Sequence, residues 1–268
     1  MTCKPSNKSW FCMLKEICLQ YGLLHPLHLL TTPPAPNAFK SLCKSKIQEY
    51  WRRELTSKIS AYSSLRYLRP EYISLCRPHP LWTSLDGNPH QTRAACVQSL
   101  FLIGRYRTEC LRRFWTKNKD GLCLLNPCIN FRYIDTLEHV LLQCEALSED
   151  RRRLVSFSLA ASAECPTLRE LVNHFLFSED DEFKMQFLTD CSTLPSVIQA
   201  VQEGGATILD HCFKIARTWC RTIHVSRSRK LRQVSIWYKK ARRTMVSKCF
   251  QSHYSKNINV CLMLTINK

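Results

Sequence analysis

The sequence predicts a mainly α-helical protein, organised as a multi-helix domain with a small cysteine-rich insert and a basic C-terminal helix. Only six glycines occur in 268 residues, which disfavours a hairpin-rich β protein because tight hairpins depend on glycine. Apolar residues in the long segments recur every three or four positions, as on one face of a helix. Hydrophobic residues make up 45% and charged residues 22% of the chain, a globular composition that excludes wholesale disorder and a collagen-like or coiled-coil rod.

Residues 1–36 are predicted to hold one helix and a proline-rich linker. The apolar face of this helix starts at Trp10, and Gly22 is a typical helix stop. The prolines at the end of the linker prevent any helix from continuing. We therefore expect the next helix to begin near Asn37, a favourable N-cap residue, and to run to about Ser60.

Residues 37–122 are interpreted as a helical basic region. Residues 63–82 contain three prolines, which favour extended segments and tight turns. Two helices hinged at Gly104 are expected between residues 89 and 118.

The rest of the chain is divided into three parts. Residues 123–164 hold the cysteine-rich insert and a following helix, residues 165–245 form a helical region with a basic end, and residues 246–268 are expected to be unstructured. The helices predicted in these parts cover residues 136–161, 166–177, 181–188 and 195–243.

The charge balance points to a polyanionic partner. The chain carries 39 Lys and Arg against 21 Asp and Glu, a formal net charge of +18. From His211 to the C-terminus there are fourteen basic residues and no acidic one, so the excess is concentrated in the tail. Nucleic acid is the leading class of partner for such a chain.

The sixteen cysteines are scattered over a domain-sized sequence, and the N-terminus has no secretory signal pattern. We therefore expect an intracellular, reducing compartment, and the basic tail makes the nucleus a candidate location. The longest apolar stretches fall short of the ~18 residues of a spanning helix, so no membrane partner is expected.

Four residues have the spacing of a zinc knuckle, C-x4-C-x10-H-x4-C. They are Cys123, Cys128, His139 and Cys144. Thiolates and imidazole are the usual ligands of structural zinc. Asp135, with Glu138 three residues later, is typical of a capping box and predicts a helix that starts just before the histidine.

Other interpretations of the cysteines remain open. Buried cysteines are ordinary core residues, and Cys110 or Cys165 could replace a ligand of the knuckle. A second cluster lies within one predicted helix, too spread out for one ion, and is interpreted as core and surface. It consists of His211, Cys212, Cys220 and His224.

No catalytic motif is present: the sequence lacks a phosphate-binding loop, a nucleophile elbow and a metalloprotease helix. Asp180 and Asp181 lie in a polar stretch that is typical of a solvated turn. A metal-dependent enzyme would need these acids and Asp190 to converge, and we expect no catalysis.

Two basic tracts are the candidate nucleic-acid contacts, because their cations could neutralise phosphates. The aromatic residues Tyr106 and Trp237 lie among them and could stack on unpaired bases if exposed. The first tract comprises Arg105, Arg107, Arg112, Arg113 and Lys117, and the second comprises Arg227, Arg229, Lys230, Arg232, Lys239, Lys240, Arg242 and Arg243.

The segment Thr136-Leu-Glu-His-Val-Leu-Leu-Gln-Cys144, with paired cysteines before it and Arg151-Arg152-Arg153 after it, resembles a known family residue for residue. The family is the C-terminal region that follows the reverse transcriptase in non-LTR (LINE-type) retrotransposon polyproteins. Further stretches are similar to animal elements, so the resemblance spans residues 9–237. These stretches are 64–68, 78–82, 104–109, 192–195 and 217–220.

The resemblance implies zinc binding by the knuckle, contact with template RNA or target DNA, and no catalysis by this chain. A reverse transcriptase supplied elsewhere would be a further partner. The gap between Cys123 and Cys128 is wider than the two-residue gap commonest in related knuckles. The sequence has no counterpart of the polymerase palm or the endonuclease, so we expect a remnant of a longer reading frame, with read-through after about Lys240.

The leading hypothesis is a non-catalytic, zinc-binding module that binds RNA or DNA with salt sensitivity and weak sequence specificity. The alternative is a structural or protein-interaction helical domain without metal or nucleic-acid function. An exposed apolar patch on the first helix would favour this alternative.

Overall fold

The computed structural model describes residues 9–62, 65–69, 77–112 and 120–265, with side chains described as far as residue 236. Helices form the regular structure of these ranges, which confirms the mainly α prediction. The β pairing within them is one isolated antiparallel bridge between Leu122 and Ile134. In the same ranges, no helix has both the length and the apolar character needed to cross a membrane.

The chain divides into two compact units, Met1–Thr83 and Ser84–Lys268. The first unit contains four helices within its described residues. They are α1 (Trp10–Tyr21), α2 (Pro26–Thr31), α3 (Pro36–Ala61) and α4 (Pro80–Thr83).

Helix α1 has the predicted bounds because both ends are capped. The Ser9 side chain accepts a hydrogen bond from the amide of Cys12, and Gly22 ends the helix in the left-handed conformation at φ 63°. In contrast, α3 begins one residue before the predicted N-cap, at Pro36, without a side-chain cap. Proline fits the first helical turn because that position needs no amide donor.

Helices α1 and α3 of the first unit meet through aromatic residues. The rings of Tyr21 and Tyr50 lie edge to face with centroids 5.0 Å apart, and Gln20 donates to the Tyr50 hydroxyl over 3.3 Å. Cys18 is the buried residue of α1, whereas α3 has none. These two helices therefore bury little of their apolar surface.

The second unit is built around one long helix. Its elements are α5 (Pro89–Leu102), α6 (Glu109–Arg112), α7 (Ser148–Ala161), α8 (Pro166–Phe177), α9 (Asp181–Asp190), α10 (Pro195–Gly204) and α11 (Thr207–Thr265). The N-terminal half of α11 packs against α5, α7, α8, α9 and α10.

The core of the second unit is aromatic at its centre. The Phe175 ring stacks on Phe187 at 4.4 Å and meets Trp219 edge to face at 5.1 Å. Cys212 and Cys220 of α11 are buried here, and burial raises the pKa of both thiols. The structure thus confirms that these two cysteines are core residues.

Glycines interrupt the predicted helices. Gly104, at φ 61°, lies just after α5 ends at Leu102, at the position of the predicted hinge. The helix predicted over 195–243 is divided at Gly205, which has a φ of 90° and separates α10 from α11. The tail predicted to be unstructured, 246–268, instead continues α11 to Thr265, because no proline or glycine stops the helix.

Candidate metal centre and basic groove

A closed loop brings the first two cysteines of the predicted knuckle together. The amide of Cys123 donates to the carbonyl of Tyr133 over 2.8 Å, and the amide of Asp135 donates to Gly121 over 2.9 Å. These bonds join the two ends of the loop beside the Leu122–Ile134 bridge. Residues 121–144 are called the metal loop below.

The four predicted ligands converge. One ligand atom from each of Cys123, Cys128, His139 and Cys144 lies within 4.8 Å of the other three, and all four residues are buried. The Cys144 sulfur is 4.0 Å from that of Cys123 and 3.6 Å from that of Cys128. This group could hold a metal ion. Within the described residues neither of the two alternative cysteines belongs to it.

The helix carrying the last two ligands differs from the predicted one. A wide helical turn over His139–Gln143 ends at Cys144, whose amide donates to the His139 carbonyl over 2.6 Å. The single helix predicted over 136–161 is therefore broken before α7. The turn places histidine and cysteine on the same side of the loop.

The side chain that caps the helical segment leading into this turn, which begins at residue 137, is Thr136 rather than Asp135. The Thr136 hydroxyl accepts a hydrogen bond from the His139 amide over 3.1 Å, as an N-cap does three residues before its donor. The predicted cap by Asp135 is thus wrong, and the Asp135 carboxylate has a different role.

The cluster is arranged to bind a cation. The neighbouring Cys144 thiol, and more weakly the nearby His139 ring, lower the pKa of Cys123 to about 4 against the effect of burial. The contact with Cys123, together with burial, raises the pKa of Cys144. His139 Nε2 is buried and has no hydrogen-bond partner among the described residues. Buried polar atoms normally have a partner, and a metal ion would supply one.

Asp135 connects the metal loop to two distant segments. Its carboxylate is completely buried and accepts hydrogen bonds from the Glu109 amide and from the Arg227 guanidinium, each over 2.5 Å. Arg227 also donates to the Arg107 carbonyl over 2.9 Å. Burial raises the pKa of Asp135 to about 6, although the adjacent Arg227 lowers it.

A groove of about 750 Å³ lies between the segment 100–112 and α11. It contains three residues of the first predicted basic tract and, of the second, Arg227, which is more than a hundred residues away in sequence. The residues lining this basic groove include Arg105, Arg107, Arg112, His224, Arg227 and Ser228.

The predicted nucleic-acid contacts differ in how accessible they are. Arg105, Arg107 and Arg112 are exposed, and Arg112 also pairs with Glu109 over 2.7 Å. On α11, Arg229 and Arg232 are exposed and Lys230 is half-buried. The described side chains do not include those of Arg113, Lys117, Lys239, Lys240, Arg242 and Arg243.

Arg227 is a correction to the predicted contacts. It is 5% exposed and its charge is engaged by Asp135, so it supports the floor of the basic groove rather than offering a free cation to phosphate. The sequence contains no signal for this pairing, because the two residues are 92 positions apart.

Tyr106 is also buried, at 3% exposure, and is not available for base stacking. Its ring stacks on Phe101 at 3.9 Å, and its hydroxyl lies 3.3 Å from His224 Nδ1. The other predicted stacking residue, Trp237, lies outside the described side chains. The exposed cations in the described part of the basic groove are the guanidinium groups of Arg105, Arg107 and Arg112.

The acidic residues considered as ligands of a catalytic metal instead accept hydrogen bonds from other groups of the protein. Asp180 caps α9 by accepting from the amides of Glu182 and Phe183, and Asp181 accepts from Gln143 over 2.8 Å. Asp190 accepts from the amide and hydroxyl of Ser192.

Comparisons with family models, curated proteins and solved structures found no match for this chain.

Proposed function

We propose that the chain is a non-catalytic, zinc-binding module that binds RNA or DNA through its basic groove. The proposal agrees with the resemblance to the region downstream of LINE-type reverse transcriptases. The observation that carries it is the buried group of three cysteines and one histidine with an unpartnered His139 Nε2.

The geometry of the group fits zinc. Two sulfurs bound to one tetrahedral zinc at about 2.3 Å lie roughly 3.8 Å apart, and the two measured sulfur–sulfur distances are 3.6 and 4.0 Å. Three thiolates and one imidazole form a typical donor set for structural zinc. Four protein ligands leave no position for a substrate, so the ion would stabilise the metal loop rather than take part in a reaction.

The basic groove supports nucleic-acid binding by this module. Exposed Arg105 and Arg107 line it, and exposed Arg229 and Arg232 follow on α11. Guanidinium groups bind phosphate oxygens through paired hydrogen bonds. Contacts of this kind bind the backbone of a nucleic acid and discriminate little between sequences.

The metal is tested by elemental mass spectrometry of protein purified without added metal. We expect one zinc per chain in the wild type and none in the double variant Cys123→Ser, His139→Ala. The exposed Cys96, which is outside the group, provides the control Cys96→Ser, which should keep its zinc. A folded wild type without metal would make the four residues ordinary core.

Nucleic-acid binding is tested by the salt dependence of affinity for a single-stranded RNA and a DNA duplex. Arg105→Gln and Arg107→Gln should each reduce the slope of log affinity against log salt by about 0.7 to 0.9. Arg153→Gln on α7 removes the same charge from an exposed residue away from the groove, so it should leave the slope unchanged. Equal effects of all three substitutions would assign binding to net charge alone.

A specific observation also favours protein interaction as a second function. Trp10, Met13 and Ile17 follow one another at helical spacing on α1 and are exposed, Trp10 by 72%. An exposed apolar stripe of this kind is typical of an interaction surface. Sedimentation velocity over a range of concentrations tests whether a second copy covers it: self-association should be lost in Trp10→Ser, and a concentration-independent monomer would exclude a second copy.

A further inference from the structure

A second concave site lies apart from the basic groove. A pocket of about 370 Å³ opens where α7, α8, α9 and α11 meet, within the second unit. Its volume is within the range of small-molecule sites in proteins. The pocket is not used by the proposed nucleic-acid function, because it shares no lining residue with the basic groove.

One wall of the pocket is apolar and partly aromatic. Leu142, Val155 and Leu176 are the partly exposed residues of this wall, whereas Phe175 and Trp219 are only 1% and 4% exposed. Phe175 and Trp219 are held in place by their own packing, edge to face at 5.1 Å, and Trp219 Nε1 donates to the Leu141 carbonyl over 3.4 Å. A wall of aliphatic side chains suits the apolar part of a small ligand.

The opposite side is rich in cations. Arg151, Arg152 and Lys184 line the pocket against a single acid, Asp181, which accepts a hydrogen bond from Gln143. Arg152 pairs with Glu149 over 2.8 Å in a solvent-exposed contact. Arg151 and Lys184 form no salt bridge with the described side chains.

Arg151 is the residue that points to a ligand. Its Nη1 atom is buried and has no hydrogen-bond acceptor among the described residues, including the thiols of the metal cluster. A buried guanidinium nitrogen without an acceptor is rare because it has given up water without replacing it. Because Nη1 itself is inaccessible to solvent, an oxyanion in the pocket would bind the side of the guanidinium that lines it, where Arg151 has no salt bridge to the described side chains.

We infer that this pocket binds an oxyanion, a carboxylate or a phosphate monoester, carried on an apolar body. The guanidinium of Arg151 donates hydrogen bonds to the anion, Lys184 adds a second charge, and the apolar body lies against Leu142, Val155 and Leu176. No covalent step is involved.

The inference is tested by calorimetry on the intact, metal-loaded protein with phenyl phosphate and phenylacetate as probes, which separates the two oxyanions. Inorganic phosphate and benzyl alcohol each supply only half of the proposed ligand and should bind at least about tenfold more weakly than the better probe. The indole N–H resonance of Trp219 should shift with the aromatic probe and not with inorganic phosphate.

Substitutions of pocket residues test whether the probe binds in this pocket. Arg151→Gln and Lys184→Gln should each weaken the better probe at least about tenfold, and Val155→Trp should block it by filling the pocket. The control Arg153→Gln, on the same helix outside the pocket, should bind as the wild type does. Circular dichroism shows whether each variant is folded. If Arg151→Gln does not fold, the affinities of Lys184→Gln and Val155→Trp for the probe decide whether it binds in this pocket.

Three outcomes would overturn the inference. One is absence of binding by both aromatic anions. Another is unchanged binding of the better probe in a folded Arg151→Gln variant. The third is a Trp219 resonance that does not move, which would place any bound anion elsewhere.

Discussion

At the scale of single residues, Asp135 has the most connections near the candidate site. It belongs to the metal loop, accepts from the Glu109 amide and is paired with Arg227 of α11. It therefore links the loop to both sides of the basic groove. A completely buried carboxylate is costly to ionise, and burial accordingly raises the pKa of Asp135 to about 6.

The first prediction concerns the pH dependence that Asp135 contributes. Because its pKa is about 6 in the folded protein and about 3.9 in the unfolded chain, the folded state binds more protons between these values. Stability from this group is present below about pH 4 and is lost as the pH rises through 6. The free energy of unfolding of the wild type, relative to Asp135→Asn, should fall by about 2 kcal/mol over this window.

Urea denaturation of both proteins at pH 4, 5 and 6 measures this difference, because protonation of the metal ligands is common to both and cancels. A difference that increases with pH would show that the attraction of Arg227 outweighs burial and keeps Asp135 ionised.

At the scale of single elements, the N-terminal end of α9 explains the acidic residues at positions 180–182. Asp180 occupies the N-cap position and accepts from two amides of the first turn, over 2.8 and 3.0 Å. Asp181 and Glu182 follow in that turn, where negative charge is favourable near the positive end of the helix dipole. The clustering of acids at this point has a structural cause.

The second prediction follows from this cap. Asp180→Ala should lower the free energy of unfolding by about 1 to 2 kcal/mol, because two amides lose their acceptor. Asp180→Asn should stay close to the wild type, because the asparagine oxygen can accept the same bonds. Chemical denaturation at neutral pH measures both, and an equal loss in the two variants would indicate that charge rather than capping is important here.

At the scale of the whole molecule, the candidate sites all belong to one of the two compact units. The metal loop, the basic groove and the pocket beside α7 lie within Ser84–Lys268. This unit also holds the aromatic core around Phe175 and Trp219. The first unit, by contrast, exposes much of the apolar face of α1.

The third prediction is that a fragment of residues 84–268 keeps the proposed functions. It should bind one zinc per chain and show the same salt slope with RNA as the full protein, because all described ligands and groove residues are present. Elemental analysis and binding isotherms measure the two properties. The fragment of residues 9–83 should bind neither. Loss of zinc from a folded 84–268 fragment would mean that the first unit is needed to complete the site.

The sequence by itself determined the mainly helical class, the bounds of α1 and the four residues of the candidate metal centre. These depend on local signals: the periodicity of apolar residues, Ser9 and Gly22 at the helix ends, and the spacing of cysteines and histidine along a short loop. Ligands within twenty-two residues of each other can be recognised from spacing because the intervening chain is too short for many arrangements.

Only the tertiary structure decided which charged residues are available. Asp135 and Arg227 resemble a helix cap and a surface cation in the sequence, yet they form a buried pair. Burial and pairing depend on contacts between segments distant along the chain, which leave no local pattern. For the same reason, the groove between the first basic tract and α11, and the unpartnered nitrogen of Arg151, could be found only after the helices had been packed around α11.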